Sequence, residues 1–205
     1  MIKNILLGYS GHSYVVAEAA LQNKLSIIGY TDHKEAMQNP FNLKYMGFEK
    51  NDDFEGWNKN YGFILGVGDN RIRNQIADFI LRKNEELVKI IHPSAIIADK
   101  VNVGKGVFIG AGAIINPMVK ISDTVIINTG AIVEHECNIK KGVHIAPSAV
   151  LAGNVSVGMR SFIGSNSFIK EGVNIGEDVI IGAGTVVLTD VPSGNKVVGN
   201  PARFI

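Results

Sequence analysis

The sequence predicts two structural units, an α/β domain with a Rossmann-like parallel sheet over residues 1–90 and an all-β solenoid over residues 91–205. Two observations support this division. Predicted strands and helices alternate before residue 90. After it, every sixth residue from Ile91 to Val187 is Ile, Leu or Val, and a small or β-branched residue usually follows four positions later. The 205 residues are enough for two cores of this size.

The period of six distinguishes the second unit from ordinary secondary structure. Helices repeat every 3.6 residues and half-buried strands every two, so neither accounts for it. A short fixed repeat predicts a solenoid in which each unit buries its apolar face only against its neighbours. One strand and one turn per hexad give a triangular coil of three hexads, so inward aliphatic residues should stack eighteen positions apart. A β-sandwich is the alternative, but its strands vary in length and alternate with period two.

This hexad pattern resembles that of the hexapeptide-repeat transferases, and the resemblance covers more than half of the chain. It implies a left-handed parallel β-helix. Many proteins of that class cover their substrate with a loop inserted between coils, whereas no insertion interrupts the hexads here. The substrate must then be covered by the amino-terminal domain or by a neighbouring subunit. This predicts an oligomer with sites between subunits.

The first 90 residues contain a simple alternation of apolar strands and amphipathic helices. Strands are predicted over 5–7, 25–30, 61–67 and 87–91, and helices over 13–23 and 71–86. The second helix should bury Ile72, Ile76, Phe79 and Ile80 on one face. The polar segment 34–60 is predicted to be a loop containing a short helix.

The turn after the first strand has the features of a phosphate site. Gly8 and Gly11 let backbone amides approach a phosphate at the start of a helix. The spacing is not that of a dinucleotide fingerprint, so an NAD site is not predicted. Asp32 ends the second strand, where an acid binds a ribose hydroxyl in Rossmann-type folds, although a solvated turn aspartate fits equally well. Gly68 ends the third strand at the same edge, and Asp69 or Asn70 should cap the helix that follows.

Composition excludes several classes of function. The net charge is +1 and the basic residues are dispersed, which argues against a nucleic-acid partner. No apolar run reaches membrane length, and the single cysteine excludes an internal disulfide. We therefore expect no membrane partner and a cytoplasmic location.

The hexad that begins at Val133 carries the candidate chemistry. His135 and Glu136 take its exposed corner positions, whereas Cys137 takes an inward position. One coil further on, Gly153 lies beside His135 and leaves room for a thioester carbonyl. A histidine next to carboxylates is a candidate general base, although a surface histidine in a charged turn shows the same pattern. His135 and His144 are half a coil apart, so they should not share a metal ion within one chain, and no metal site is predicted.

Three longer motifs narrow the resemblance. The run EHECNIKKGVHIAPSAVLAGNVSVG, the opening GYSGH and the turn GDNRIR resemble the PglD/NeuD branch of sugar acyltransferases over essentially the whole chain. The resemblance implies an acetyl-CoA-dependent enzyme that acetylates the 4-amino group of a nucleotide-linked 4-amino-4,6-dideoxy sugar, with UDP as the expected carrier. It also implies a homotrimer. O-acetylation of a sialic-acid-like sugar and a non-catalytic repeat scaffold are the alternatives.

The resemblance also implies roles for individual residues. His135 is the implied base, assisted by Glu136. Contacts to acetyl-CoA are implied for His144, Gly153, Ser165 and Ala183. Contacts to the sugar nucleotide are implied for Ser10, Gly11, His12, Asp32, His33 and Gly68. His33 stands where a second acidic residue is often seen, so contacts to the base or ribose are expected to differ here. Because Cys137 points inward, the sequence predicts direct transfer without an acyl-enzyme.

Overall fold

The structure, a computed structural model, describes residues 2–205, so the first residue of the predicted 1–90 domain lies outside it. The chain begins with a five-stranded parallel sheet in the order β3-β2-β1-β4-β5. Its elements are β1 Lys3–Leu7, α1 Gly11–Gln22, β2 Ser26–Thr31, β3 Lys44–Tyr45, β4 Gly62–Leu65, α2 Asn70–Arg82 and β5 Glu86–Leu87. The predicted helices and the first three predicted strands are present. The strand predicted over 87–91 is divided in two: Glu86–Leu87 joins this sheet and Ile90–Ile91 pairs with the solenoid. Segment 34–60 contains no helix and instead adds the short strand β3 beside β2.

Tyrosine side chains hold the loop between β2 and β3 against the sheet. The Tyr9 ring stacks on Tyr30 with 4.1 Å between centroids. The Tyr9 hydroxyl donates to Asn39 Oδ1 at 2.8 Å, and the Tyr30 hydroxyl accepts from the Ala36 amide at 2.9 Å. The hydroxyl groups of these buried tyrosines form hydrogen bonds with polar groups of the loop. The loop therefore has a defined path without regular secondary structure.

The rest of the chain is a parallel β-solenoid with three sheets. Its strands are β6 Ile90–Ile91, β7 Ile96–Ile97, β8 Asn102–Val103, β9 Phe108–Ile109, β10 Ile114–Ile115, β11 Lys120–Ile121, β12 Ile126–Ile127, β13 Ile132–Val133, β14 Asn138–Ile139, β15 His144–Ile145, β16 Val150–Leu151, β17 Ser156–Val157, β18 Phe162–Ile163, β19 Phe168–Ile169, β20 Asn174–Ile175, β21 Ile180–Ile181, β22 Val186–Val187, β23 Lys196–Val198 and β24 Arg203–Phe204. The first sheet begins with β6, the second with β7 and the third with β8.

The strand register confirms the predicted stacking. Ile115 pairs with Val133, eighteen residues later, and the same offset continues from coil to coil until β21. The last coil is shorter, since Ile180 pairs with Lys196. The inward aliphatic residues form one continuous buried column, and most of them are fully excluded from solvent.

From Lys100 to Gly184 each corner of the solenoid turns through one residue in the left-handed backbone region. These residues recur every six positions and include Thr124 (φ 60°), Glu136 (φ 62°), Gly142 (φ 71°) and Arg160 (φ 61°). Glycine adopts this conformation freely, whereas other residues are strained by about 1–2 kcal/mol. The hexad therefore has a geometric origin: two strand residues are followed by a corner that must contain one left-handed residue.

The three sheets differ in what they present outward. The third sheet presents polar residues such as Lys120 and Asn138. The first sheet presents Phe108 and Ile126, which the amino-terminal domain buries. The second sheet presents an apolar ladder that stays at least partly exposed, with Ile96 63% and Phe168 39% accessible. The members of this ladder are Ile96, Ile114, Ile132, Val150, Phe168 and Val186.

Helix α2 joins the two units through polar contacts, which corrects the predicted apolar face. Ile72 is 50% exposed, whereas Arg73 and Asn74 are buried. Arg73 Nε donates to Thr124 O at 2.7 Å and Nη2 donates to Gly142 O at 2.9 Å. Asn70, in the first turn of the helix, donates from Nδ2 to Arg160 O at 2.9 Å. Thr124, Gly142 and Arg160 lie eighteen residues apart at one corner, and we call this line of contacts the polar seam.

Within residues 2–205, no helix has both the length and the apolar character needed to cross a membrane.

Truncating one inward side chain should measure how strongly the column supports the solenoid. Ile145 is fully buried. We expect Ile145→Ala to lower the free energy of unfolding by about 2–5 kcal/mol, because both apolar contact and packing are lost. Lys120→Ala, on the exposed face of the third sheet, should change it by less than about 0.5 kcal/mol. Urea denaturation followed by circular dichroism measures both, and equal losses would contradict the assignment of the column as the core.

Candidate active site

His135 and Gly153 lie against each other at the corner that follows the second sheet. A Cβ atom on Gly153 would lie 2.5 Å from His135 Cε1 and 2.7 Å from Nε2, closer than side-chain atoms approach. Asn154 N donates to His135 O at 2.8 Å, which stacks the two coils. Any residue other than glycine at 153 would therefore displace the imidazole. The predicted neighbours His135 and Gly153 are in contact. The imidazole itself fills the space beside Gly153 that the sequence predicted for a thioester carbonyl.

Glu136 orients the His135 imidazole. His135 Nδ1 lies 3.1 Å from Glu136 Oε2, and both side chains are about half exposed. A carboxylate accepts hydrogen bonds, so Glu136 favours a proton on Nδ1, and Nε2 lies on the Gly153 side. Cys137, next in the chain, is fully buried, and burial raises the pKa of its thiol to about 11.

His144 lies on the outer face of the first sheet and is held in one tautomer. The amide of Asn128 has a fixed orientation, because its Oδ1 accepts from Thr129 N at 2.8 Å. Its Nδ2 therefore faces His144 Nε2, at 3.2 Å. An amide nitrogen only donates, so Nε2 accepts and the ring proton is on Nδ1.

Two histidines meet where the amino-terminal domain covers this sheet. The rings of His12 and His144 are 6.1 Å apart between centroids. Burial, followed by the nearby Arg73 charge, lowers the pKa of His12 to about 4. Burial lowers the pKa of His144 to about 3, with Arg73 and His12 contributing and the Gly68 backbone opposing. Both imidazoles are neutral at physiological pH, which suits them to hydrogen bonding rather than proton transfer.

An open cleft of about 500 Å³ adjoins this pair. Gly68 and the start of α2 form one wall, and Phe162 and Ile180 of the first sheet form an apolar floor beside His144. Arg160 and Asp178 close the far end, with 2.6 Å between Arg160 Nη2 and Asp178 Oδ2. A cleft with an apolar floor and polar walls suits a ligand that is partly polar, such as a sugar.

The predicted nucleotide residues gather at the carboxyl ends of β1, β2 and β4. Ser10 is the N-cap of α1 but its side chain makes no capping hydrogen bond, so helix amides remain available to a phosphate. Asp32 Oδ2 accepts from Tyr9 N at 3.0 Å and Oδ1 accepts from His33 N at 2.7 Å. Asp32 thus orders the loop after β1 as well as its own. The exposed His33 ring lies 4.1 Å from that of Phe48.

Ser165 and Ala183 stack at the corner that follows the first sheet. Gly184 N donates to Ser165 O at 2.8 Å. Ser165 is half-buried and Ala183 is exposed, so this corner offers an open edge along the axis of the solenoid.

The predicted site residues therefore form three groups within one chain. His135, Glu136 and Gly153 form the first. His144 joins His12 and Gly68 in the second, at the edge of the loops that carry the other nucleotide residues, and Ser165 and Ala183 form the third. No hydrogen bond or ring contact within residues 2–205 joins His135 to His144. Nor do these residues contain a cluster of three potential metal ligands.

Comparison with known proteins identifies the family of the chain. The PglD N-terminal domain model matches residues 3–80, and the hexapeptide repeat of succinyl-transferase model matches residues 154–189. Comparison with curated proteins gives no match. The acetyltransferase domain of PglB from Neisseria gonorrhoeae superposes with a TM-score of 0.93 at 31% identity, with 99% of each chain covered. The chain belongs to the PglD-type family of hexapeptide-repeat sugar acetyltransferases.

Two structures of relatives contain ligands. One is the same PglB domain with acetyl coenzyme A, with a TM-score of 0.91 at 31% identity over 99% of this chain and 98% of that one. The other is PerB from Caulobacter crescentus with CoA and GDP-perosamine, with a TM-score of 0.91 at 33% identity over 99% and 97%. These comparisons confirm the predicted fold class, an α/β domain followed by a left-handed parallel β-helix. They also confirm that the PglD-type chain is an acetyl-CoA-dependent sugar acetyltransferase.

One feature beside the site escaped the sequence reasoning. Arg73 is 1% exposed, and burial lowers its pKa to about 10. Helical periodicity assigned this position to the polar face, because a lone arginine beside Ile72 gives no sign that its charge is buried.

The neutral histidines should make stability depend on pH. In the unfolded chain a histidine has a pKa of about 6.5, whereas in the folded protein the pKa of His144 is about 3. At pH values between these two the unfolded state binds more protons than the folded state. Stability should therefore fall as pH is lowered from 7 to 5, by about 2 kcal/mol for His144. His144→Asn should lose about 2 kcal/mol less over this range, as measured by urea unfolding at each pH. Identical pH dependence of variant and wild type would contradict a buried neutral His144.

Proposed function

We propose that the protein transfers the acetyl group of acetyl-CoA to the 4-amino group of a nucleotide-linked 4-amino-4,6-dideoxy sugar, with UDP as the carrier. The observation that carries this proposal is the imidazole of His135, fixed by Glu136 and seated against Gly153. The GDP-perosamine bound to PerB is itself a nucleotide-linked amino sugar, which supports the substrate class. The loops at Ser10 and Asp32 supply the features that a nucleotide needs.

His135 acts as the general base in this proposal. The sugar amine attacks the acetyl carbonyl, a carbon–nitrogen bond forms and the carbon–sulfur bond of the thioester breaks. His135 Nε2 removes the amine proton, which then passes to the departing CoA thiolate. Gly153 N has no protein hydrogen-bond acceptor among the residues described, so this amide is the proposed donor to the developing oxyanion.

Direct transfer is proposed because no side chain beside His135 can serve as an acyl carrier. Cys137 is fully buried, its Sγ donates to Ala152 O at 3.2 Å, and its pKa is raised to about 11. A buried, protonated thiol is a poor nucleophile. Intersecting initial-velocity lines support this route, whereas parallel lines contradict it.

We further propose that each complete site forms between subunits of a homotrimer. Within one chain the base lies at a different corner from the cleft beside His144. The apolar ladder of the second sheet lies beside the corner that carries His135. Its exposed apolar side chains favour burial against another protein surface. A second copy packed on this ladder would bring His135 of one subunit towards the cleft of its neighbour.

Mass spectrometry of reaction products tests the proposed function. The protein is incubated with acetyl-CoA and UDP-, dTDP- or GDP-linked 4-amino-4,6-dideoxy sugars, and with free sialic acid. We expect one amino sugar to gain a single acetyl group. Acetylation of sialic acid alone would replace the proposal with O-acetylation. Absence of product with every acceptor would overturn the proposed substrate class.

Replacing Gly153 should reproduce the loss of His135. The added methyl of Gly153→Ala would overlap the imidazole, and misplacement of a catalytic group by about 1 Å can lower the rate about a hundredfold. We expect His135→Ala and Gly153→Ala each to lower kcat by about a hundredfold or more. Both should keep the wild-type circular dichroism spectrum and oligomeric state.

Glu171→Ala is the matched control, because Glu171 is exposed one coil beyond Gly153 at the same corner. It should leave kcat within about twofold of wild type. Full activity in Gly153→Ala would show that the contact between ring and glycine is not needed for catalysis.

A further inference from the structure

Arg73 is a buried cation whose partners are all uncharged. Its guanidinium donates to the carbonyl oxygens of Gly68 at 2.8 Å, Thr124 at 2.7 Å and Gly142 at 2.9 Å. It also donates to Asn70 Oδ1 at 2.8 Å. Among residues 2–205 the acidic group that raises the pKa of Arg73 is Asp69, and the Asp69 carboxylate already caps α2 through two backbone amides.

A buried charge without an ionic partner destabilises a fold unless its hydrogen bonds compensate. An apolar residue at this position would fill the space without that penalty, so packing alone does not account for Arg73. Its planar fork reaches three separate backbone segments at once, which no shorter or single-headed side chain can do.

The Gly68 end of this network leads to the cleft. Gly68 O accepts from Arg73 Nη1, and Gly68 lines the cleft together with Asn70 and His144. Asn70 is held from two sides, because its Oδ1 accepts from Arg73 Nη2 and its Nδ2 donates to Arg160 O. The Arg73 guanidinium therefore holds two residues of the cleft wall against the solenoid.

We propose that Arg73 is a positioning residue for acetyl transfer, which fixes the β4–α2 loop against the solenoid through the Gly68 carbonyl and Asn70. The inference rests on the proposed function, and it takes the cleft beside His144, whose lining suits a sugar, as the place where the acceptor binds. Arg73 does not touch the substrate. It holds the wall of the cleft at a set height above the first sheet, because the same guanidinium is anchored to Thr124 and Gly142 of the solenoid.

The variants Arg73→Met and Arg73→Lys test this role, with Arg82→Met as the matched control on the exposed last turn of α2. We expect Arg73→Met to raise the KM for the amino-sugar acceptor at least tenfold, and Arg73→Lys to give a smaller rise because one ammonium cannot reach all three carbonyls. Arg82→Met should match wild type. A role in folding alone would lower the amount of active enzyme and leave KM unchanged, and that result would overturn the proposal.

Nitrogen-15 NMR of the backbone amides gives a readout that needs no turnover. In Arg73→Met the amide resonances of Gly68 and Asp69 should shift relative to wild type, because the β4–α2 loop loses its anchor, whereas Arg82→Met should leave them unchanged. Unchanged Gly68 and Asp69 resonances in a folded Arg73→Met protein would overturn the proposal even if no acceptor sugar were acetylated. Failure of the proposed function, by contrast, would appear as absence of product in wild type with the resonance difference intact.

Discussion

Stacking of residues eighteen positions apart governs both the core of this protein and the contacts between its corner residues. Each coil repeats the backbone of the one before it, so the inward residues form a closed apolar column and have little freedom to vary. Corner residues are free of that constraint, yet each still touches its counterpart in the next coil. His135 meets Gly153 in this way. Two chosen side chains can therefore be brought together on a repeating scaffold without any insertion into it.

The same rule explains which parts of the site the sequence could reveal. Counting by eighteen places Gly153 beside His135, because the repeat converts sequence separation directly into contact. The nucleotide loops also follow from local pattern, since glycine turns after parallel strands meet at one edge. Arg73 could not be found by either argument. Its partners Thr124 and Gly142 lie in the solenoid, and helical periodicity counts an arginine as exposed.

Burial, together with the nearby charge of Arg73, distinguishes His12 and His144 from His135. His12 and His144 lose contact with solvent and face a fixed cation, so their pKa values fall to about 4 and about 3. His135 is half exposed, with a carboxylate at 3.1 Å. A site that needs one imidazole to move a proton and others to hold a geometry can obtain both from the same residue type, because their surroundings differ.

Backbone strain at the polar seam shows that the contact with α2 requires particular residues at the corners of the solenoid. Thr124 is β-branched and fully buried, yet it adopts the left-handed conformation with φ 60°. Its Oγ1 donates to Asn74 Oδ1 at 2.7 Å and its carbonyl accepts from Arg73. Glycine would relieve the strain but would remove the hydroxyl. One coil on, Gly142 is required instead, because a Cβ there would overlap the Asn74 amide. Contact with helix α2 thus restricts which residue can occupy these two corner positions. A corner without such a contact is not restricted in this way.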